Sequence, residues 1–120
     1  MNDAQGAVRL SVALEARADS RVLRLTGELD HDTAQVLREA LEGCLSHGPH
    51  RILVDFAGVG FCDSTGLNVL LRARQEALAA DRQVELCALG VQVARLFEVT
   101  GVDGVFAIHP TVDRALAAHR

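Results

Sequence analysis

Between Arg51 and Phe56 the chain runs apolar without alternation: Ile52, Leu53 and Val54 in succession, then Phe56 after Asp55. A strand with one wet face alternates, so this pattern predicts a central strand covered on both faces. Such a strand needs neighbours on its flanks and helices packed against it, and the surrounding segments supply both. Val8, Leu10, Val12 and Leu14 alternate with Arg9, Ser11, Ala13 and Glu15, the period of a half-buried strand. Ala16 to Ser20 suits a turn, and Arg21 to Thr26 reads as a second strand closing a hairpin. Gly27 to Asp32 then leads into a helix with Ala34, Leu37, Leu41, Cys44 and Leu45 on one face. Asp32 and Gln35 have the spacing of a capping box, and Gly48-Pro49 stops the helix.

Beyond the central strand, Leu67, Leu70, Leu71, Arg74 and Leu78 trace one face of a second helix. Val84, Leu86 and Ala88 read as a strand. Gly90 precedes a short helix carrying Val93, Leu96 and Phe97 that closes near Gly101. Val105 to Ile108 forms a last strand, and Thr111 caps a terminal helix through Ala117. A hairpin followed by alternating helices and strands gives an α/β fold, a mixed sheet with helices packed on it. The first strand pair is antiparallel, and the later crossovers are long enough for parallel pairing. With no internal repeat or linker, the 120 residues form one domain, 1–120.

Several function classes drop out. A net charge of −4 argues against a nucleic-acid face. No apolar run approaches the roughly 18 residues of a membrane helix, and the first residues lack a signal-peptide pattern, so no membrane role and a cytoplasmic location are expected. Cys44, Cys62 and Cys87 are odd in number and widely spaced, which suits small apolar fillers rather than disulfides or zinc ligands. Asp30, His31 and Asp32 are adjacent and seldom converge on one ion; a cap and a solvated face account for them, and no metal is expected. Gly58-x-Gly60 is followed by Asp63 where a dinucleotide loop needs glycine, and there is no phosphate-binding Gly-Lys-Ser/Thr loop, so no cofactor is expected.

The segment richest in chemistry is Phe61-Cys62-Asp63-Ser64-Thr65-Gly66-Leu67, where the buried strand hands over to a helix. A serine there is open to solvent, and the first free N–H groups of the helix point towards it. Ser64 or Asp63 as a simple helix cap explains the tripeptide by itself, with a worth of about 1 kcal/mol. Gly66 asks for more, because glycine in a first helical turn costs roughly 1 kcal/mol relative to alanine. Either another molecule approaches the backbone there or the helix packs closely on the sheet. Catalysis by Ser64 is disfavoured. Cys62 stands where a nucleophile elbow needs glycine, and none of His31, His47, His50, His109 and His119 has a spacing that pairs it with Ser64. Phosphorylation is the remaining reading: a phosphoserine beside Asp63 adds roughly −1.5 to −2 charges, partly offset by the helix N-terminus.

Two segments, Leu25-Thr26-Gly27-Glu28-Leu29-Asp30-His31-Asp32-Thr33-Ala34 and Phe61 to Leu67, resemble the signatures of bacterial anti-sigma-factor antagonists, stand-alone STAS-domain proteins. Val93 to Gly101 is similar to that family's third helix, and the resemblance covers roughly residues 8 to 117. It implies a STAS domain with a five-stranded mixed sheet flanked by about four helices. It also implies a binding protein rather than an enzyme, in which Ser64 is phosphorylated by an anti-sigma factor that is a serine kinase. The unphosphorylated form binds that anti-sigma factor and frees a sigma factor; the phosphorylated form lets go, and a serine phosphatase resets it. Gly27, Glu28, Asp30, His31, Asp63, Thr65, Gly66 and Asn68 fall on the implied partner-binding positions, with Asp30 expected near Ser64. Thr65 is a weaker phosphosite. Asn68 stands where many relatives have a small residue and is expected to project at the contact surface. Cys62, where methionine is common, is expected to face inward. The alternative implied role is a static STAS subunit of a lipid-transport ATPase complex or of a stress-sensing assembly.

Overall fold

A computed structural model describes residues 9–118, so Val8 lies outside the described residues. The hairpin is β1 (Leu10–Ala16) and β2 (Ser20–Leu29), antiparallel with Leu10 opposite Gly27 and Ala16 opposite Arg21. Helix α1 (Ala34–His47) returns the chain to β3 (Arg51–Cys62), which pairs with β2 in parallel. Then follow α2 (Ser64–Ala79), β4 (Gln83–Cys87), α3 (Val91–Thr100), β5 (Ile108–His109) and α4 (Val112–Ala117). Among the described residues the sheet has five strands in the order β1-β2-β3-β4-β5, parallel after the first pair. The mixed sheet with four helices is the architecture expected above.

β3 is the central strand. All of Arg51 to Phe56 is buried. Ile52, Val54 and Phe56 enter the main core with α1, α2 and α3 residues such as Leu37, Leu41, Leu70, Ala77 and Phe97. Leu53 faces the other side, in a smaller cluster with Val22, Cys87, Val112 and Ala115 of α4. The charged members of this stretch are neutralised in place. Arg51 forks onto Glu85 and also donates to the Ala115 carbonyl at 2.8 Å, while Asp55 accepts from Arg24 at 2.8 Å. All three cysteines are free and buried, as fillers.

The structure revises several boundaries. β3 runs on to Cys62, six residues past the apolar stretch, and β2 reaches Leu29. The two strands stay paired through register shifts at Arg24/Thr26 and Gly27/Glu28. Gly27 sits there at φ +122°, and a β-carbon on it would meet the Arg9 carbonyl oxygen at 2.1 Å. Only glycine fits.

Leu14 is 61% exposed rather than inward, on the wall of an open groove between the hairpin and the Glu39, Ala40, Gly43, Cys44 and His47 side of α1. On α2 the buried stripe is Gly66, Leu67, Val69, Leu70, Ala73 and Ala77, with Leu78 in solvent. Wedged between α1 and β4, α2 turns its small residues inward. The last strand is Ile108–His109 rather than Val105 to Ile108, since Val105 belongs to a turn. The terminal helix and its cap are as expected, the Thr111 hydroxyl accepting from Arg114 N–H at 3.0 Å.

Candidate functional site

Three elements end at one rim of the sheet: β2 at Leu29, β3 at Cys62, and α2, which begins with Ser64. Asp63 is the junction. Its Oδ1 accepts from the backbone N–H groups of Thr65 (2.9 Å) and Gly66 (3.1 Å), which makes it the N-cap of α2. Its Oδ2 accepts from His31 N–H at 3.2 Å, and its own N–H donates to the Leu29 carbonyl at 3.1 Å. One carboxylate therefore ties the turn before α1 to the start of α2. Ser64 follows as the first helical residue, exposed, with Thr65 half-buried and Asn68 exposed one turn on. The helix N–H groups expected to lie free near Ser64 are thus partly taken: Asp63 holds two of them. The openness of Ser64 is what leaves room for a larger group.

Gly66 is buried. A β-carbon on it would meet Leu29 Cγ at 2.5 Å, Leu29 Cδ2 at 2.9 Å and Cys62 Sγ at 3.2 Å. Close packing of α2 on the strand ends explains this glycine, rather than the approach of another molecule. Cys62 faces inward as expected, and burial, with the Asp63 charge beside it, pushes its thiol up to about 12. It is no nucleophile at neutral pH.

The turn before α1 is built on Asp30, whose Oδ1 accepts from Asp32 N–H at 3.0 Å and Thr33 N–H at 3.2 Å. The Thr33 hydroxyl donates to the Glu28 carbonyl at 2.8 Å and accepts from Asp30 N–H at 2.9 Å. The capping box expected from Asp32 and Gln35 does not form. α1 starts after Thr33 with no side-chain cap, and Gln35 donates to Glu39 instead. The local Asp30 turn satisfies the same backbone and wins. His31, exposed at its tip, brings this turn against Asp63 and so places Asp30 by the Ser64 loop.

Two residues join the site that sequence reasoning missed. Arg9 pairs with Glu28 (3.5 Å), Asp30 (2.5 Å) and Asp32 (3.1 Å), a single guanidinium serving three carboxylates. Burial works against the Asp30 charge, but Arg9 and the bonds from Asp32 and Thr33 outweigh it and hold that carboxyl below its usual range. The alternate acidic residues Glu28, Asp30 and Asp32 were the available signal, since such a row calls for a counter-charge. Gln92 of α3 bonds both backbone groups of Cys62. Nothing in the sequence around it marked that contact.

The partner positions expected by resemblance therefore gather at one rim. Asp63 and Ser64 lead α2, Thr65 and Asn68 follow, and Glu28, Asp30 and His31 form the adjoining turn. Gly27 and Gly66 shape this surface from within the backbone.

Comparison with known proteins bears on this geometry. A family model described as "Mlab, STAS domain" matches residues 12–110. The anti-sigma-F factor antagonist RsfB of Mycobacterium tuberculosis is 30% identical over 99 residues, covering 82% of this chain and 80% of that protein. The crystal structure of an anti-sigma factor antagonist from Mycobacterium paratuberculosis superposes with a TM-score of 0.82 at 29% identity, covering 91% of this chain and 92% of that one. The anti-sigma factor antagonist SpoIIAA in its unphosphorylated form is similar at a TM-score of 0.76 and 26% identity, over 88% of this chain and 93% of that one.

Proposed function

The chain belongs to the STAS domain family, and on that premise we propose that it is an anti-sigma-factor antagonist switched by phosphorylation of Ser64. In the unphosphorylated state the Ser64 rim docks on an anti-sigma factor and releases a sigma factor. That anti-sigma factor is also the serine kinase, and a separate serine phosphatase restores the hydroxyl. The chain acts by binding and carries out no chemistry of its own, and the setting is cytoplasmic. Glu28, Asp30, His31, Asp63, Thr65 and Asn68 form the docking surface, shaped by Gly27 and Gly66.

The observation that carries this reading is the exposed Ser64 hydroxyl at the head of α2, beside a carboxylate already committed to holding two loops. A partner fitted to that neutral oxygen would meet a dianion after phosphorylation. Lost contact and like-charge repulsion across the interface together are worth about 2–4 kcal/mol, or roughly 30- to 700-fold in affinity. Because the group extends into solvent, the fold itself is undisturbed by it.

The test is a calorimetric titration of Ser64→Ala and Ser64→Glu against the anti-sigma factor. The alanine variant is expected to bind as tightly as the unmodified chain and the glutamate variant to bind poorly; equal affinities would sink the switch. Intact-mass analysis after mixing with kinase and ATP should show one added phosphate, mapped to Ser64.

The matched family model is described by its STAS domain and not by an antagonist's role, which leaves a second reading: a static STAS subunit of a larger assembly such as a lipid-transport ATPase complex. Co-purification with an ATPase, with Ser64 unmodified in cells, would favour it over the switch.

A further inference from the structure

β3 outruns its neighbour. Pairing with β4 ends at Asp55 opposite Cys87, whereas β3 continues to Cys62, so among the described residues its last stretch has no strand on that side. At Cys62 a side chain fills the gap. Gln92, in the first turn of α3, accepts from Cys62 N–H through Oε1 at 2.9 Å and donates from Nε2 to the Cys62 carbonyl at 3.0 Å. This two-point pairing copies what a neighbouring strand residue would offer. On the opposite edge Cys62 lies across from Leu29, whose carbonyl receives Asp63 N–H. The residue two places before Ser64 is therefore held from both sides. The clamp is itself anchored, because the next residue, Val93, is buried in the main core.

We propose that Gln92 is a positioning residue for the Ser64 switch: it fixes the end of β3, and through Asp63 it sets where the Ser64 hydroxyl is presented to the partner. The inference rests on the reading of Ser64 given above. Its chemical basis is specific. A neutral amide offers an acceptor to Cys62 N–H and a donor to the Cys62 carbonyl at once, and an ionised carboxylate offers only the acceptor. A docking site that depends on one hydroxyl is sensitive to small displacements of it, so the supporting bonds count as much as the hydroxyl.

The test uses the full chain with Gln92→Leu and Gln92→Glu. In Gln92→Leu the Cys62 amide is expected to exchange with solvent about tenfold faster, and affinity for the anti-sigma factor to fall about tenfold. Gln92→Glu should show the same losses at neutral pH and recover towards the parent as the pH falls and the new carboxyl takes up a proton. Gln92→Leu should show no such recovery, which separates positioning from loss of general stability.

Unchanged Cys62 exchange in Gln92→Leu would overturn the proposal, as would parental affinity in both variants or recovery at low pH in both. Should the parent chain bind no anti-sigma factor, the proposed function fails on its own. The clamp is then judged on the amide resonances of Cys62, Asp63 and Ser64; if Gln92→Leu leaves them unmoved, it is overturned too.

Discussion

At the Ser64 rim, Glu28 and Asp32 stand in water with Asp30 half-buried, and all three share Arg9. Under α4 the arrangement is reversed: Arg51 and Glu85 are 8% and 6% exposed and bind each other through two bonds, at 2.9 and 2.7 Å. His109 adds a contact to Glu85 at 2.8 Å, and Ala115 supplies a carbonyl to Arg51. The buried pair locks α4 and β5 to the sheet and leaves little of either side chain exposed. The rim instead keeps its charges wet and spends its side chains on the backbone, through Asp30, Thr33, Asp63 and Gln92. One region fixes the fold with charge, and the other fixes a shape while leaving its chemistry open to a visitor. The same sheet supports both because β3 supplies Arg51 at one end and Cys62 at the other.

Removing Glu85 should have the largest effect, since Arg51 would remain buried without its counter-ion. Glu85→Ala is expected to lose about 3–5 kcal/mol in urea denaturation; a loss of surface-pair size would erase the contrast between the regions. The pH dependence sharpens it. Burial pushes the Glu85 carboxyl up, but Arg51 and His109 outweigh burial and hold it below its ordinary value. Its contribution is therefore complete above the unfolded value of roughly 4.3 and is lost as the pH falls through the lower folded value. Denaturation curves of the parent should show that acid loss, and those of Glu85→Ala should lack this component.

Gly66→Ala comes next, at about 1–3 kcal/mol, because the new β-carbon would press on Leu29 and Cys62. If thermal melting shows it to be neutral, the rim is looser than its packing implies. Asp63→Ala should cost about 1–2 kcal/mol as a lost cap and, by hydrogen exchange, expose the amides of His31, Thr65 and Gly66 together. Exchange confined to α2 would mean that the two loops are not coupled through this carboxylate. Arg9→Ala should do least: a small fall in melting temperature that added salt erases, as for any exposed ion pair.

What the sequence made legible follows the strength of local signals. The unbroken apolar run placed β3, the Asp63-Ser64-Thr65-Gly66 segment placed the start of α2, and Thr111 and Gly101 marked helix ends that the structure keeps. Periodicity failed where cover was decided elsewhere. Leu14 has the right spacing to be buried, but its burial depends on how closely α1 covers the hairpin, and an open groove separates them. Leu78 lost its place to Ala77, which continues the buried stripe of Leu70 and Ala73 on α2. The capping box failed for a similar reason, since Asp30 competes for the same backbone from outside the helix. Arg9 and Gln92 reach their partners across 23 and 30 positions of sequence, and no local pattern encodes such contacts.

The three buried cysteines have a practical consequence. Burial raises the Cys44 thiol and pushes those of Cys62 and Cys87 up to about 12, so none ionises near neutrality. Alkylating reagents attack thiolates, and against the native chain they find almost none. A thiol introduced by Ser64→Cys would stand alone in solvent, ready to carry a fluorophore or a cross-linker at the one position where a docking partner must come close.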